Sequence, residues 1–494
     1  MKLKFLRGRR LAEQRRVFTS AAVILLAGCA SSPTLTPAAA PGVPAAWQTP
    51  LPAASTTELV DWWQRFNDPA LPPLIDAAQQ ASPTLASAAA RIERARATRV
   101  ASGAAVLPRV DAVAGVSYGR SEPGFATGSN ASAGLQASWE IDLFGANLAA
   151  RSAAQARLEA AQAGWHDARI SLAAETATSY ASLRACEAQL EQARLDAGSR
   201  AATSRLTEES ARAGFTAPAD AALVRAGAAQ SRSQAVNQRA LCDSLVKSLV
   251  ELTDLAEPDL RQRLAASTAR LPQPQAIAPA ALPAQLLQQR PDLAEAARNV
   301  AAAAADHQSS RGREMPRVSL TGSLLGFSSR SAEVTRSGST WSIGPLSVSL
   351  PIFDRAVQGA ATAAARAGYD EAVAVYRGQV RRALREVETA LVALQATAER
   401  EADSRLAAQD FEVALRATEA RQRGGLGSLL DLENARRNAV QAQIALIDLQ
   451  RERTAAWISL YRALGGGWTG SSTATQTSSG AGSLPAIDTA EAQS

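Results

Sequence analysis

The sequence predicts a mainly α-helical protein with a smaller β portion, internally duplicated. Long helices packed in coiled-coil fashion would accompany four strands per protomer, which make twelve in a trimer. Three observations carry this expectation: a tandem repeat, four stretches of period-two polarity, and two helical stretches far longer than a globular domain uses.

The repeat is in register. Ser82-Pro83-Thr84-Leu85-Ala86 returns 208 residues later as Arg290-Pro291-Asp292-Leu293-Ala294, and Leu107-Pro108-Arg109-Val110 returns at the same offset as Met315-Pro316-Arg317-Val318. Glu175 to Ala185 is matched by Glu386 to Ala396, and Gly214-Phe215 with Asp220 by Gly425-Leu426 with Asp431, now 211 residues on. Copies of about 200 residues are domain-sized, which favours a pseudo-twofold body over a solenoid. The first repeat is placed over residues 58–270 and the second over 271–465.

Within each copy the polarity pattern marks one strand pair, over about 109–144 and 316–353. From Asn130 to Leu143 the residues Ala131, Ala133, Leu135, Ala137, Trp139, Ile141 and Leu143 alternate with polar neighbours, so one face is apolar and the other wet. Val110, Ala112, Ala114, Val116 and Tyr118 make a second apolar face, Val318, Leu320 and Leu324 a third, and Leu346, Val348, Leu350 and Ile352 a fourth. The polar stretches around Ser121 to Ser129 and Ser328 to Thr340 read as the loops between pair members.

The remainder is helix. Ala146 to Ala213 and Arg355 to Gln422 contain no proline and are rich in Ala, Leu, Arg, Glu and Gln; at 1.5 Å per residue each extends about 100 Å. Val373, Val380, Leu384, Val387, Leu391 and Leu394 step mostly by three and four in the manner of coiled-coil packing. Return helices over about Pro218 to Leu255 and Ser428 to Leu464 complete hairpins at 146–255 and 355–464. Short helices over about Thr84 to Ala105 and Asp292 to Arg311 make up the missing length beyond them, and Glu257 to Arg290 reads as a connector with one short helix.

Residues 1–28 carry seven of the chain's 52 basic side chains and one of its 46 acids, followed by an apolar run from Val17 to Gly28. That is the pattern of a secretory signal peptide, too short in its apolar part to span a membrane. Without it 45 basic and 45 acidic residues remain, so the high isoelectric point reports targeting rather than a nucleic-acid partner. Residues 29–57 read as an extended tether and 466–494 as a disordered tail. Cys186 and Cys242 fall on the two arms of the first hairpin at similar distances either side of a turn near residue 214, which makes an inter-helix bridge geometrically conceivable; two buried thiols, the more ordinary state of helical cysteines, also fit that placement.

Four strands cannot close a barrel, and an open sheet with one apolar face leaves unpaired edges, so further copies must supply the rest. A trimer gives twelve strands, an even number as bacterial outer-membrane barrels require. Together with this architecture, Leu26-Ala27-Gly28-Cys29 resembles a lipoprotein lipobox, and Trp139-Glu140-Ile141-Asp142-Leu143-Phe144-Gly145 marks a strand-to-helix transition whose weaker counterpart is Leu350-Pro351-Ile352-Phe353-Asp354. With the two Gly-to-Asp motifs, these segments make residues 58 to 466 similar to the outer-membrane efflux lipoproteins of the OprM and NodT type, in the TolC superfamily.

The resemblance implies a homotrimer in the bacterial outer membrane, lipid-anchored through a palmitoylated Cys29, with its helical body in the periplasm and no cofactor beyond that lipid. It implies a long α-helical coiled-coil-like barrel continued by a transmembrane β-barrel, serving as a passive exit duct in a tripartite pump, fed by an inner-membrane RND transporter through a periplasmic adaptor. It also implies that the hairpin tips, at Arg212, Gly214 and Phe215 and at Arg423, Gly425 and Leu426, touch the adaptor. The competing expectation is a lipid-anchored periplasmic coiled-coil adaptor or structural lipoprotein, which would need no strands.

At each tip a glycine can end one helix in the left-handed conformation, and an aspartate can sit in the first turn of the next. Asp220 and Asp431 are therefore candidates both for helix capping and for a ring of negative charge at the periplasmic aperture. Ser428-Leu429-Leu430-Asp431 fits a capping box, whereas Pro218 sets the first tip apart. His166 and His307 lack partners at metal-ligand spacing, so no metal is expected. Gly424-Gly425-Leu426-Gly427-Ser428 lacks the lysine of a phosphate loop, Glu208-Glu209 reads as solvated helix surface, and no nucleophile–base arrangement is suggested, so the chain is not expected to be an enzyme.

Overall fold

The structure, a computed structural model, describes residues 62–120, 127–273, 289–331, 334–350, 352–353 and 355–468. The signal peptide, Cys29 and the tether lie outside the described residues, as do Pro351, Asp354 and the chain beyond residue 468. In chain order the elements are α1 (Leu71–Ala81), α2 (Pro83–Ala104), β1 (Arg109–Gly119), β2 (Gly128–Ile141), α3 (Ala146–Arg212), α4 (Pro218–Thr253) and α5 (Glu257–Leu264). The second copy supplies α6 (Pro291–Arg313), β3 (Arg317–Ser331), β4 (Thr335–Ser349), α7 (Arg355–Arg423) and α8 (Leu429–Ala463).

The strands form one antiparallel sheet in the order β1-β2-β3-β4, so the two copies join through β2 and β3. The helices repeat that order: α2 packs on α3, α3 on α6 and α6 on α7. Toward the tips the neighbours change to α4, α3, α8 and α7. Only α3 and α7, at 67 and 69 residues, contribute to both layers, which is why the sequence needs two helices of such length. Both short helices begin with Pro at N1, where the missing N–H costs no helical bond; Ser82 also caps α2 by accepting from Leu85 N–H at 3.3 Å.

The loop expected over Ser328 to Thr340 is instead mostly strand, with Ser328 opposite Ser337 and Ser329 opposite Arg336. Polarity does not end a strand when both backbones remain paired. Farther along β4 a bulge replaces the simple alternation: Leu346 faces Leu320, but Ile343 faces Gly322 and Trp341 faces Leu324. Pro345 lies within it, where no ladder N–H is required, and the slip places Trp341 and Ile343 on the same apolar face as Leu346 and Val348.

The core lies where both copies meet around the middle of the long helices. Trp62, Phe66, Leu71, Leu74 and Ile75 pack there against Tyr180 and Leu183 of α3, Leu249 of α4, Leu391 of α7, and Trp457, Leu460 and Tyr461 of α8. Trp63 stacks at 4.6 Å on Tyr461 and Trp62 at 6.0 Å on Trp457. Each buried large side chain contributes about 1.5–3 kcal/mol, so this belt is where the helices are fastened. Arg184, fully buried, donates to Glu187 (2.8 Å), to the Leu264 carbonyl (2.8 Å) and to Ser267 (2.7 Å) while stacking on the Tyr180 ring. Burial and a hydrogen bond to Asp68 push the Tyr180 hydroxyl up to about 12, keeping it a donor.

One expectation is overturned by the packing, and one open alternative is decided. Residues 466–468 are not part of a disordered tail: Gly465, Gly466 and Gly467 turn with positive φ and lie against the belt. A Cβ on Gly465 would come within 2.3 Å of the Gln289 carbonyl oxygen, and one on Gly466 within 2.8 Å of Ile170. Cys186 and Cys242 are joined as a disulfide between α3 and α4, with Cα atoms 5.6 Å apart, rather than lying as separate thiols. Their equal separation from the turn at Gly214 sets them at one height of the hairpin, and the structure decides that they are bonded rather than free.

Replacing both cysteines by serine is expected to lower stability by about 2–4 kcal/mol in denaturant titrations, and reductant should then shift the midpoint of the parent but not of the variant. Burial, reinforced by Asp292, holds the Asp167 carboxyl above its ordinary range, with Arg462 and Arg290 offsetting part of the effect. The folded state therefore binds that proton more tightly than the unfolded chain, and its contribution to stability falls as pH rises above the usual carboxylate range of about 4. Asp167→Asn should flatten the decline of the denaturation midpoint as pH rises above about 4.

Candidate functional site

The sheet is amphipathic across all four strands. Row by row, Val110 lies opposite Ala137, Ala112 opposite Leu135 opposite Leu324, and Trp139 opposite Leu320 opposite Leu346. This apolar face is solvent-exposed in the single chain, with Val116 83%, Tyr118 80%, Trp341 73% and Ile343 81% accessible. The other face is mostly Ser, Thr, Gly, Asn and Gln, with a few charged residues and with Val113, Leu325 and Phe327 as apolar exceptions, and its hydroxyls pair across strands, Ser319 with Ser347 at 2.7 Å and Ser323 with Ser342 at 2.9 Å. A sheet wet on one side and exposed-apolar on the other is suited to separating water from lipid. Among the described residues no helix is long and apolar enough to cross a membrane.

The Trp139–Gly145 segment builds the junction between sheet and helices. Trp139 donates from Nε1 to the Val106 carbonyl at 3.2 Å, tying β2 to the end of α2. Asp142 accepts from the Leu148 N–H at 2.7 Å and so caps α3, while Gly145, at φ +71°, makes the turn into that helix. Gly312 of α6 lies so close that a Cβ there would meet Ala146 at 2.9 Å. The corresponding Phe353 after β4 is fully exposed.

At the hairpin tips the two copies share one helix ending. Gly214, at φ +83°, follows α3 while Phe215 N–H bonds the Ser210 carbonyl at 2.9 Å; Gly425, at φ +73°, follows α7 while Leu426 N–H bonds the Arg421 carbonyl at 2.9 Å. Both are Schellman closures, and both expose the apolar residue after the glycine, Phe215 at 86% and Leu426 at 84%. Arg212 is 3.7 Å from Glu208, and Arg423 is exposed.

The return helices start differently. Ser428 caps α8, accepting from Asp431 N–H at 3.1 Å and donating its hydroxyl to the Asp431 carboxylate at 2.7 Å. Asp220 stands exposed in the first turn of α4, behind Pro218 at N1 and with no side-chain cap. No hydrogen bond or ion pair among the described residues joins Asp220 to Asp431. The hairpins are instead clasped higher up, by Arg200 bridging Asp196 (2.9 Å) and Glu433, and by Gln189 donating to Asp448 at 3.0 Å. This clasp was not anticipated from the sequence, since its partners are more than 200 residues apart.

His166 and His307 lie on α3 and α6, and among the described residues no group of three His, Cys, Asp or Glu side chains is arranged to hold a metal.

An amphipathic sheet continued by paired helical hairpins, duplicated within one chain, defines a protein of the helical-barrel and β-barrel channel class. The model of the outer membrane efflux protein family matches residues 74–255 and 282–466, and the chain belongs to that family. The two matched stretches coincide with its two copies.

Among relatives, the pyoverdine export outer membrane protein OpmQ of Pseudomonas putida is 31% identical over 441 residues, spanning 86% of this chain and 92% of that one. The outer membrane protein OprJ of Pseudomonas aeruginosa is 31% identical over 461 residues, spanning 90% and 94%. Among solved structures, the outer-membrane channel OprN superposes with a TM-score of 0.76 at 28% identity, covering 87% of this chain and 99% of that one. VceC of Vibrio cholerae gives 0.74 at 25% identity, covering 83% and 99%. The chain is an outer-membrane efflux channel whose helical body stands in the periplasm.

The unequal caps separate two roles of the tip acids. Ser428→Ala should weaken the start of α8 by about 1 kcal/mol in hydrogen-exchange protection, whereas Asp220→Ala should leave the stability of α4 within about 0.5 kcal/mol. An altered channel conductance in Asp220→Ala at unchanged oligomer yield would then report charge at the aperture.

Proposed function

We propose that three copies of this chain close one twelve-stranded barrel and one helical tunnel, forming a passive exit duct for small molecules. The carrying observation is the agreement of unpaired edges. β1 and β4 end the sheet, and on the same two sides α2 with α4, and α7, end the helical layers. Joining β4 of one copy to β1 of the next would satisfy the edge N–H and C=O groups that lipid cannot. It would also cover Val392, Leu406 and Val413 of α7 and Leu223 and Val236 of α4, all more than half exposed in the single chain.

In this reading the apolar sheet face meets lipid, the polar face lines the lumen, and Cys29 carries the anchoring acyl chains. Phe215 and Leu426, with Arg212 and Arg423 beside them, dock a periplasmic adaptor that links the duct to an inner-membrane RND transporter. Asp220 and Asp431 set the charge of the aperture. The chain catalyses no reaction and holds no cofactor beyond its lipid; the energy for transport is spent by the transporter.

The test is the native mass of the detergent-extracted protein together with single-channel recording in a planar bilayer. Three chains and a water-filled conductance are expected; a monomer, or a trimer that passes no ions even after its tips are opened by truncating both hairpins, would overturn the proposal. The same experiment decides against a lipid-anchored coiled-coil spacer, which would conduct nothing.

A further inference from the structure

The polar face of the sheet contains one aromatic ring among the described residues. Across the register, one row reads Gly115, Ser132, Phe327 and Gly338. The ring of Phe327 rests over Gly338, where an added Cβ would meet its Cε1 and Cζ at 3.5 Å, and 39% of the residue remains exposed. Beside it opens a recess of about 330 Å³, bounded by Phe327, Ser132, Asn130, Ser117 and the backbone around Gly115. Gly115 leaves the floor of the recess bare: a Cβ there would touch only the Ser132 hydroxyl, at 3.9 Å.

The polar groups around this recess are uncommitted. Ser319 and Ser323 of the same face spend their hydroxyls on Ser347 and Ser342, but the side chains of Ser117, Asn130 and Ser132 have no hydrogen-bond partner among the described residues. No charged side chain lines the recess. Arg336 lies one row outward and Asp111 two rows inward, the latter paired with Arg109 at 2.8 Å. A flat ring, a bare floor and a free amide with two hydroxyls form a combination that matches a planar solute with a hydrogen-bonding substituent.

We propose that this recess is a binding subsite for uncharged aromatic solutes bearing a hydroxyl or carboxamide, with Phe327 as the ring contact and Asn130 and Ser132 as the hydrogen-bonding partners. The proposal rests on the polar face lining the lumen, where threefold symmetry provides three such subsites. Its affinity is low by construction: one ring contact and an open mouth hold a solute briefly, which suits a wall that must release what it binds.

The test is saturation-transfer NMR on the detergent-extracted full chain, with 4-hydroxybenzamide as probe and its saturated analogue 4-hydroxycyclohexanecarboxamide as comparator, the native mass of every sample being measured alongside. The wild type is expected to bind the aromatic probe and to bind the saturated analogue several-fold more weakly. Phe327→Leu, which keeps an apolar side chain but removes the ring, should weaken probe binding by about three- to tenfold, the worth of one aromatic contact. Asn130→Ala should also weaken it, and Ser347→Ala, lower on the same face, should not. Should Phe327→Leu fail to assemble, Phe327→Tyr retains the ring and should bind as the wild type does. Equal binding of probe and saturated analogue, or undiminished binding in Phe327→Leu or in Asn130→Ala, overturns the subsite. A wild type that is not trimeric overturns the assembly on which it rests, whereas a trimer that does not bind the probe overturns the subsite alone.

Discussion

The edges of the four-stranded sheet are the constraint on which the rest of the molecule depends. Each outward-facing N–H and C=O of β1 and β4 needs a partner, and beside hydrocarbon no water can serve. A protein chain meets that demand by closing the sheet, and four strands are too few to do so alone. The helical layers follow the same rule, since the terminal helices on either side expose apolar residues that only another surface can cover. One unmet requirement, repeated at two heights, thus orders the whole architecture.

Between sheet and tips the belt around Trp62, Tyr180 and Trp457 has a different task. Two helices of about 100 Å would bend independently unless fastened near their middle. Aromatic packing supplies the adhesion, while buried polar groups fix the register. Arg184 is held by Glu187, Ser267 and the Leu264 carbonyl, and Arg290 by both oxygens of Asp292, by Glu386 and by the Ala463 carbonyl at 2.9 Å. A buried guanidinium is costly unless its donors are engaged; Arg184 leaves its Nε without a partner, and each of these sites specifies one arrangement of several segments. The disulfide adds a covalent clamp to the first hairpin that the second lacks, where Arg453 and Arg400 instead reach across to Glu401 and Glu452.

The duplication makes it possible to see how one framework diverges. Both copies start their short helix with proline and close their long helix on a left-handed glycine, because these positions answer to backbone chemistry. The positions before the short helices differ: Ser82 caps with its hydroxyl, whereas its counterpart Arg290 makes no side-chain cap and instead donates to Glu386 of α7 and to the Ala463 carbonyl of α8. Ser428 holds Asp431, whereas Asp220 has no such neighbour. The tips are alike in how they end a helix and unlike in how they begin one.

Much of the fold was legible because it rests on local chemistry. Alternation marked the strands, proline-free runs marked α3 and α7, and the Gly-to-Asp spacing marked both tips. Where the sequence reading fell short, the deciding contacts join distant positions. Polar residues over Ser328 to Thr340 proved to be ladder, since pairing lies in the backbone; the bulge at Pro345 returned Trp341 to the apolar face; α1 and the Trp62 segment were absorbed into the belt; and the glycines after Leu464 were packed rather than loose. By itself the sequence determined the repeat, the two polar–apolar periods and the helix ends, all of which depend on residues within a few positions of one another. Only the tertiary structure decided that Arg200 clasps Glu433, that Arg290 joins Glu386 and the Ala463 carbonyl, and that Phe327 stands beside an uncommitted amide, because each requires knowing which surfaces face each other across the fold.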